Sequence, residues 1–400
     1  MSALIEQLAA EGQLPADDYA VVRRRAHKAL MQHGFPNMKT EAWKYTSLRV
    51  LEKREFAAET ASPSKLPELP FAAHVLHFDN GLLDVGKTNL PAGVRLEPVA
   101  PTLLESSDYG DRADAFAWLN LARFHQAWRL VIDSVLDQPI VVATTTAEDF
   151  AGDVHPRLLI ELGENAAASL VEVQRGLGQG LVNLVQDIAL KAGARLSHIV
   201  QRQAADSAWV QRTTVNVAAN ADYRFHALDG GGRLTRHDLG VKLLAPGANG
   251  EIDGVALVDS KQHVDFHTAI DHQVGPSHSR ESFRILADGT GVGVFNGRIH
   301  IARGADHSHS DLNTANLLLS DSARINTKPE LEIYAEEVTA SHGATIGQLE
   351  DGAMFYLRSR GIPATEAAAL LKRGFAATPL ENIEPEAIRS WLLGSLAEML

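Results

Sequence analysis

The 400-residue chain contains no cysteine. That absence excludes disulfide staples, a thiolate nucleophile and thiolate metal ligation by this polypeptide alone. Any soft-metal chemistry must take its sulfur from another molecule. Basic residues are also in short supply: 37 lysines and arginines face 50 aspartates and glutamates, a formal charge of −13. Such a surface repels phosphate backbones and anionic lipid, so neither nucleic acid nor a membrane is expected as a partner. No apolar run approaches the roughly 18–20 residues that span a bilayer. The opening MSALIEQLAAEG has neither a basic n-region nor an apolar h-region, and a cytoplasmic protein is expected. Aromatic residues are only 6% of the chain, but apolar residues reach 45%, enough for a large core.

What is present divides along the chain. Tyr19, Val22, Ala26, Ala29 and Leu30 recur at helical spacing behind Pro15, Asp17 and Asp18, and Gly34 and Pro36 supply the stop. Residues from about 50 to 150 mix short strands with a helix near Ala113–Trp128. From about residue 155 alternating, β-branched segments follow one another, among them RLLIEL, SLVEVQ, LVNLVQDIAL and WVQRTTVNV, each bounded by Gly, Asn or Asp. Strands without intervening helices argue against a βαβ architecture.

A repeat underlies these strands. A small turn dipeptide stands at Asn165-Ala166, Gly193-Ala194, Asn220-Ala221 and Gly247-Ala248, at intervals of 28 (193 − 165), 27 (220 − 193) and 27 (247 − 220). Gly275 and Gly304-Ala305 continue the series. A period near 27 is too short for a propeller blade and fits one coil of a β-helix. A β-sandwich with recurring turns is the alternative. The C-terminal end is helical again. Pro363 opens a stretch with Ala367, Leu370, Leu371 and Phe375 on one face, and Pro385 opens another with Ile388, Trp391, Leu392, Leu396 and Met399. Helices this short need a surface to dock on, either the solenoid end or a second protein. The expected units are a helical region over 1–60, a mixed lead-in over 61–150, a β-helix core over 151–345 and a helical region over 346–400.

Histidine is the residue type that could carry chemistry, and eleven of the seventeen lie between His198 and His342. In QHVDFHTAIDH, strand parity puts Val264, Phe266, Thr268 and Ile270 on one face and His263, Asp265, His267 and Asp271 on the other. The second face is expected to be a solvated strand surface, with a divalent-metal site as the alternative. His307, His309 and Asp311 offer the same choice. Gly289–Gly293 is followed by a strand-like segment, not a helix, so it is not a phosphate loop. Neither a GxSxG elbow nor a GxxxxGK[ST] loop occurs, so any ATP site must belong to a partner.

The segment Leu331–Ile362, LEIYAEEVTASHGATIGQLEDGAMFYLRSRGI, resembles the signature of the SufB/SufD family of iron–sulfur cluster assembly proteins. Asp265-Phe266-His267-Thr268 with His272 and Pro276, then Phe295-Asn296-Gly297-Arg298-Ile299 and Leu317-Leu318-Leu319-Ser320, fit the same family in order. Glu41-Ala42-Trp43-Lys44-Tyr45-Thr46 resembles its SufD-type EXWKYT element, so the resemblance runs from about residue 36 to 376. It favours the SufD branch, because SufB-type relatives have a glutamate where this chain has Gly343 and a cluster-ligating cysteine that it lacks.

The resemblance implies a right-handed parallel β-helix with helical ends and a scaffold role in cluster assembly and iron acquisition, without catalysis of its own. It implies a SufB-like partner on the last coils and a SufC-like ABC-type ATPase on the C-terminal helices, where Leu370, Leu371 and Phe375 are the expected contacts. In isolation a homodimer is the other expectation. No cofactor is expected on this chain alone. A nascent iron–sulfur cluster is expected only in the complex with SufB, with His342 of the SHGAT segment as its ligand or as an interface hydrogen-bonding residue. Many relatives read Cys-Ser-His where this chain reads Ala340-Ser341-His342. Trp43 and Tyr45 are expected to anchor the N-terminal helices on the core. Two other classes remain open here: a β-helix carbohydrate-active enzyme, and a metal-dependent enzyme using the His263/His267 or His307/His309 clusters.

Overall fold

The computed structural model describes residues 3–10, 14–57, 61–105, 107, 109–110 and 114–400. Alternation of apolar and polar residues gives strands with one inward face, and the strands pair into two parallel sheets. Each coil contributes one strand to each sheet, most of them ten residues long, as in Asn249–Val258 followed by His263–His272. Pairing is residue on residue: Ala208 lies beside Leu234 of the next coil, and Val292 beside Arg324. The result is a parallel β-solenoid of about 8 turns with helices at both termini. The expected β-helix is therefore the fold, and the sandwich is not.

The repeat dipeptides are the corners. Asn165, Gly193, Asn220, Gly247 and Gly304 all have positive φ, between 54° and 79°. The alanine after each turns its methyl inside: Ala166, Ala194, Ala221, Ala248 and Ala305 are buried. Stacking explains why asparagine and glycine alternate here. A Cβ on Gly247 would stand 2.2 Å from Oδ1 of Asn220 in the coil below. Gly275 breaks the series, being outside the positive-φ set and joined by a cis peptide to Pro276.

The parallel ladder begins well before residue 151. His74–Asp79 pairs with Ile140–Thr146, which pairs with Ala167–Gly176, all in the first sheet. In the second sheet Ala127–Ile132 pairs with Arg157–Leu162. The segment expected as a lead-in thus supplies strands to both sheets. The helix expected near Ala113–Trp128 is Ala115–Arg123, with Ala113 outside the described residues. Trp128 instead stands in a strand whose Leu130 and Ile132 alternate into the core.

Both outer faces are covered. On the second sheet, Leu30, Trp43, Phe116 and Leu119 of the N-terminal segments pack on Leu181, Val185, Val210 and Leu234. On the first sheet, Ala376, Leu380, Ile388 and Leu392 pack on Val171, Ile199, Val255 and Leu286. The C-terminal helices Ala364–Ala377 and Glu386–Met399 therefore dock on a flank of the solenoid rather than on its end. Among the described residues no helix is long and apolar enough to cross a membrane.

The two ends differ. At the start, Val94–Pro98 and Leu82–Leu83 close the sheets with antiparallel pairs. At the finish, Arg324–Ile333 and Thr339–Gly347 have no strand beyond them among the described residues, and neither contains a buried residue.

Candidate functional site at the uncovered end

His342 lies in the last strand of the first sheet, paired with Leu312. The pairing Ile252–Glu281–Leu312–His342 defines one inward-facing column, and its first three members are fully buried. With no coil above it, the His342 imidazole is exposed. Ala340 caps the neighbouring inward column above Ser279 and Ser310. On the opposite face of the same strand Ser341 donates to Asp311. Ile333 and Ile346, at inward positions of the last coil, are 42% and 46% exposed. The uncovered end is therefore an apolar cross-section of the core carrying one imidazole.

Polar groups lie beneath it. His272 bonds Ser279 at 2.8 Å, and Ser279 bonds Ser310 at 2.7 Å, a buried ladder ending under Ala340. The other nitrogen of His272 meets Ser277 at 2.8 Å. Burial pushes His272 down to about 4, so the ring is neutral, with one nitrogen donating and one accepting. Glu281 is the opposite of satisfied: neither carboxylate oxygen makes a well-formed hydrogen bond, nor does the Thr268 hydroxyl in the same coil. Burial pushes its carboxyl up to about 8, which the nearby Thr268 hydroxyl opposes only in part.

Deeper coils hold a network that sequence reading did not pick out. Glu172 accepts from His198 at 2.6 Å and from Gln174 at 2.5 Å, and Arg202 donates to Asp229 at 2.9 Å and Gln211 at 2.5 Å. The signal was available, since Glu172 and Gln174 share strand parity with the inward Leu170.

In the structure both histidine clusters have partners that strand parity does not show. Asp265 is buried, not solvated as expected. It accepts from Thr46 at 2.5 Å and from Arg236 at 2.6 Å, and lies 3.1 Å from the His267 ring. Burial opposes its ionisation, but the His267 and Arg236 charges outweigh that and hold the carboxyl well below the ordinary aspartate range. His263 bonds Thr46 at 2.9 Å. The guanidinium of Arg236 lies 3.9 Å from the Trp43 ring. These residues clamp the N-terminal segment onto the sheet through Trp43 and Thr46, while Tyr45 is left 37% exposed. His307 has φ 61° and sits in the turn before the strand, beside Glu337, so strand parity does not align it with His309 and Asp311. Among the described residues no three His, Asp or Glu side chains converge to hold a metal.

Residues 143–375 match the family model "SUF system FeS cluster assembly, SufBD core domain". The chain belongs to this family. An iron–sulfur cluster assembly SufBD family protein of Synechocystis is 29% identical, with 96% of this chain and 91% of that protein covered. The iron–sulfur cluster assembly protein SufD of Escherichia coli is 26% identical over 93% of this chain and 90% of its own length. Chloroplastic protein ABCI7 of Arabidopsis thaliana is 31% identical, covering 59% of this chain and 50% of that protein.

The C-terminal helices of this SufBD protein also present a surface. The face expected over Ala367–Phe375 splits. Ala367 is buried, and Phe375 turns toward the sheet, with the Arg284 guanidinium 4.8 Å from its ring. Leu371 is half-buried and Leu370 points outward. The split follows from angular position around the helix. At about 100° per residue Leu370 lies to one side of the buried Ala367, whereas Leu371 and Phe375 lie to the other, so Leu370 is at the edge of the apolar arc. The helix Asp351–Ser359 has no buried residue and exposes Phe355 at 74% and Tyr356 at 57%.

Proposed function

We propose that this SufBD protein is a scaffold subunit of a cytoplasmic Suf iron–sulfur assembly complex, with no turnover of its own, taking part in cluster assembly and iron acquisition. The observation that carries the reading is the last coil: two parallel strands with unpaired outer edges over an apolar core section, and no buried residue in either. Such an edge is a template for strand pairing and is ordinarily blunted or covered. A SufB-like subunit bearing the thiolates that this chain lacks is the proposed cover. His342 then faces the junction, where an imidazole serves as a nitrogen ligand beside a partner's sulfurs. The nascent cluster is cargo of that junction.

Phe355, Tyr356 and Leu370 form the proposed docking face for a SufC-like ABC-type ATPase, with Leu371 and Phe375 behind it positioning the helix. Without a partner, the uncovered end is where a second copy of this chain would pair.

The decisive experiment is anaerobic co-expression with SufB- and SufC-type proteins. A stable ternary complex is expected, with His342→Ala reducing cluster absorbance while leaving the complex intact. A folded chain that forms no complex would sink the scaffold reading. Undiminished absorbance in His342→Ala would remove the ligand role alone. Phe355→Asp with Leu370→Asp should abolish ATPase co-purification at unchanged melting temperature.

A further inference from the structure

His278 and His309 open successive strands of the first sheet, and the ladder pairs them residue to residue. Their rings are parallel to within 1°, with centroids 5.1 Å apart, so one imidazole is the other translated by a strand spacing. Both side chains are exposed on the outer face. Among the described residues neither ring finds a hydrogen-bond or ion-pair partner, whereas His155, His198 and His300 are each held by a carboxylate at 2.6 to 2.7 Å. Two imidazoles with uncommitted nitrogens, held side by side on a rigid sheet, form a chelating pair.

We propose that His278 and His309 form a bidentate site for a divalent transition-metal ion of the zinc or nickel type. Nitrogen donors without a carboxylate or thiolate select such ions over magnesium and calcium. The chain's charge of −13 raises the local cation concentration. Water completes the coordination.

The geometry also fixes what binding must do. In translated rings like nitrogens share the 5.1 Å separation. Two metal–nitrogen bonds of about 2.0–2.1 Å reach across at most about 4.2 Å. That limit is for a linear arrangement; at a tetrahedral ion the two nitrogens stand about 3.4 Å apart, so the rings must close by nearly two ångströms, which rotamer adjustment of exposed side chains supplies. Metal binding tilts the rings out of parallel. This site stands apart from the uncovered end and does not rest on the assembly reading.

The test is calorimetric titration of untagged full-length protein with Zn²⁺, with Mg²⁺ as the control, alongside imidazole NMR. One Zn²⁺ per chain is expected, shifting the His278 and His309 ring signals together. His278→Ala and His309→Ala should each weaken binding by at least about tenfold, and the double variant should be little worse than either, because a chelate needs both donors. Exposed positions of this kind are expected to leave folding unperturbed, checked by an unchanged melting temperature. Affinity unchanged in the double variant, independent losses that add, or binding only at millimolar Zn²⁺ would each overturn the proposal.

Discussion

Asp265 and Glu281 are buried carboxyl groups on consecutive strands of one coil, and the fold treats them in opposite ways. Asp265 faces outward under the N-terminal segment, where Thr46, Arg236 and His267 surround it. Glu281 faces the interior, with no well-formed hydrogen bond to either oxygen. One is held ionised and the other neutral. The difference shows that a polar outer face can be sealed by a distant part of the chain, whereas a polar interior position has only its own coil and its neighbours to draw on.

The largest effect is expected from Asp265→Ala. Removing one member of a buried charge cluster leaves Arg236 with its charge poorly matched and should cost about 3–5 kcal/mol in chemical denaturation. A cost under about 1 kcal/mol would mean that the clamp contributes little and that the contrast is one of burial alone. Because the folded carboxyl titrates below its unfolded value, the wild-type contribution is present above about pH 4 and is lost as pH falls further.

Glu281 should behave with the reverse sign. Its folded value of about 8 lies above the ordinary 4.5, so the folded state keeps a proton that the unfolded state releases. Stability from this group is therefore intact below the ordinary value and declines as pH rises toward 8, by on the order of a few kcal/mol. Glu281→Gln should flatten that slope. An unchanged slope in the variant would show that the acid is solvated or paired in solution.

The smallest effect is expected from Tyr45→Ala, within about 0.5 kcal/mol, against a loss of several for Trp43→Ala. Equal losses would show that both aromatic residues seal the outer face.

Much of the fold was legible because it is local and repeated. Corner residues with positive φ, a small buried residue after them and strict parity in the strands are all visible within one period. Parity alone groups Val264, Phe266, Thr268 and Ile270 on one face, and each is buried. The outer face of the same strand was misjudged, since parity reports direction and not what lies beyond. Asp265 meets Thr46 from 219 residues away in sequence. The same reasoning separates Leu370 from Phe375, whose surroundings depend on how the helix settles on the sheet. Of the candidate site, His342 was legible through family resemblance. Its inward column and uncovered setting needed the register. The paired imidazoles at His278 and His309 were beyond local reading, since they stand a full coil apart along the chain and become neighbours only through stacking.

The corner turns have one more consequence. The step from Ala208 to its partner Leu234 is shorter than the step from Val292 to Arg324, yet the paired strands hold ten residues and stay in step. Insertions are thus absorbed where the backbone bends, while the lining is kept row by row. The polypeptide behaves as a ruler with elastic margins. Its outline can drift freely, but a single residue gained within a strand would reverse which side chains face the core from that point to the next corner.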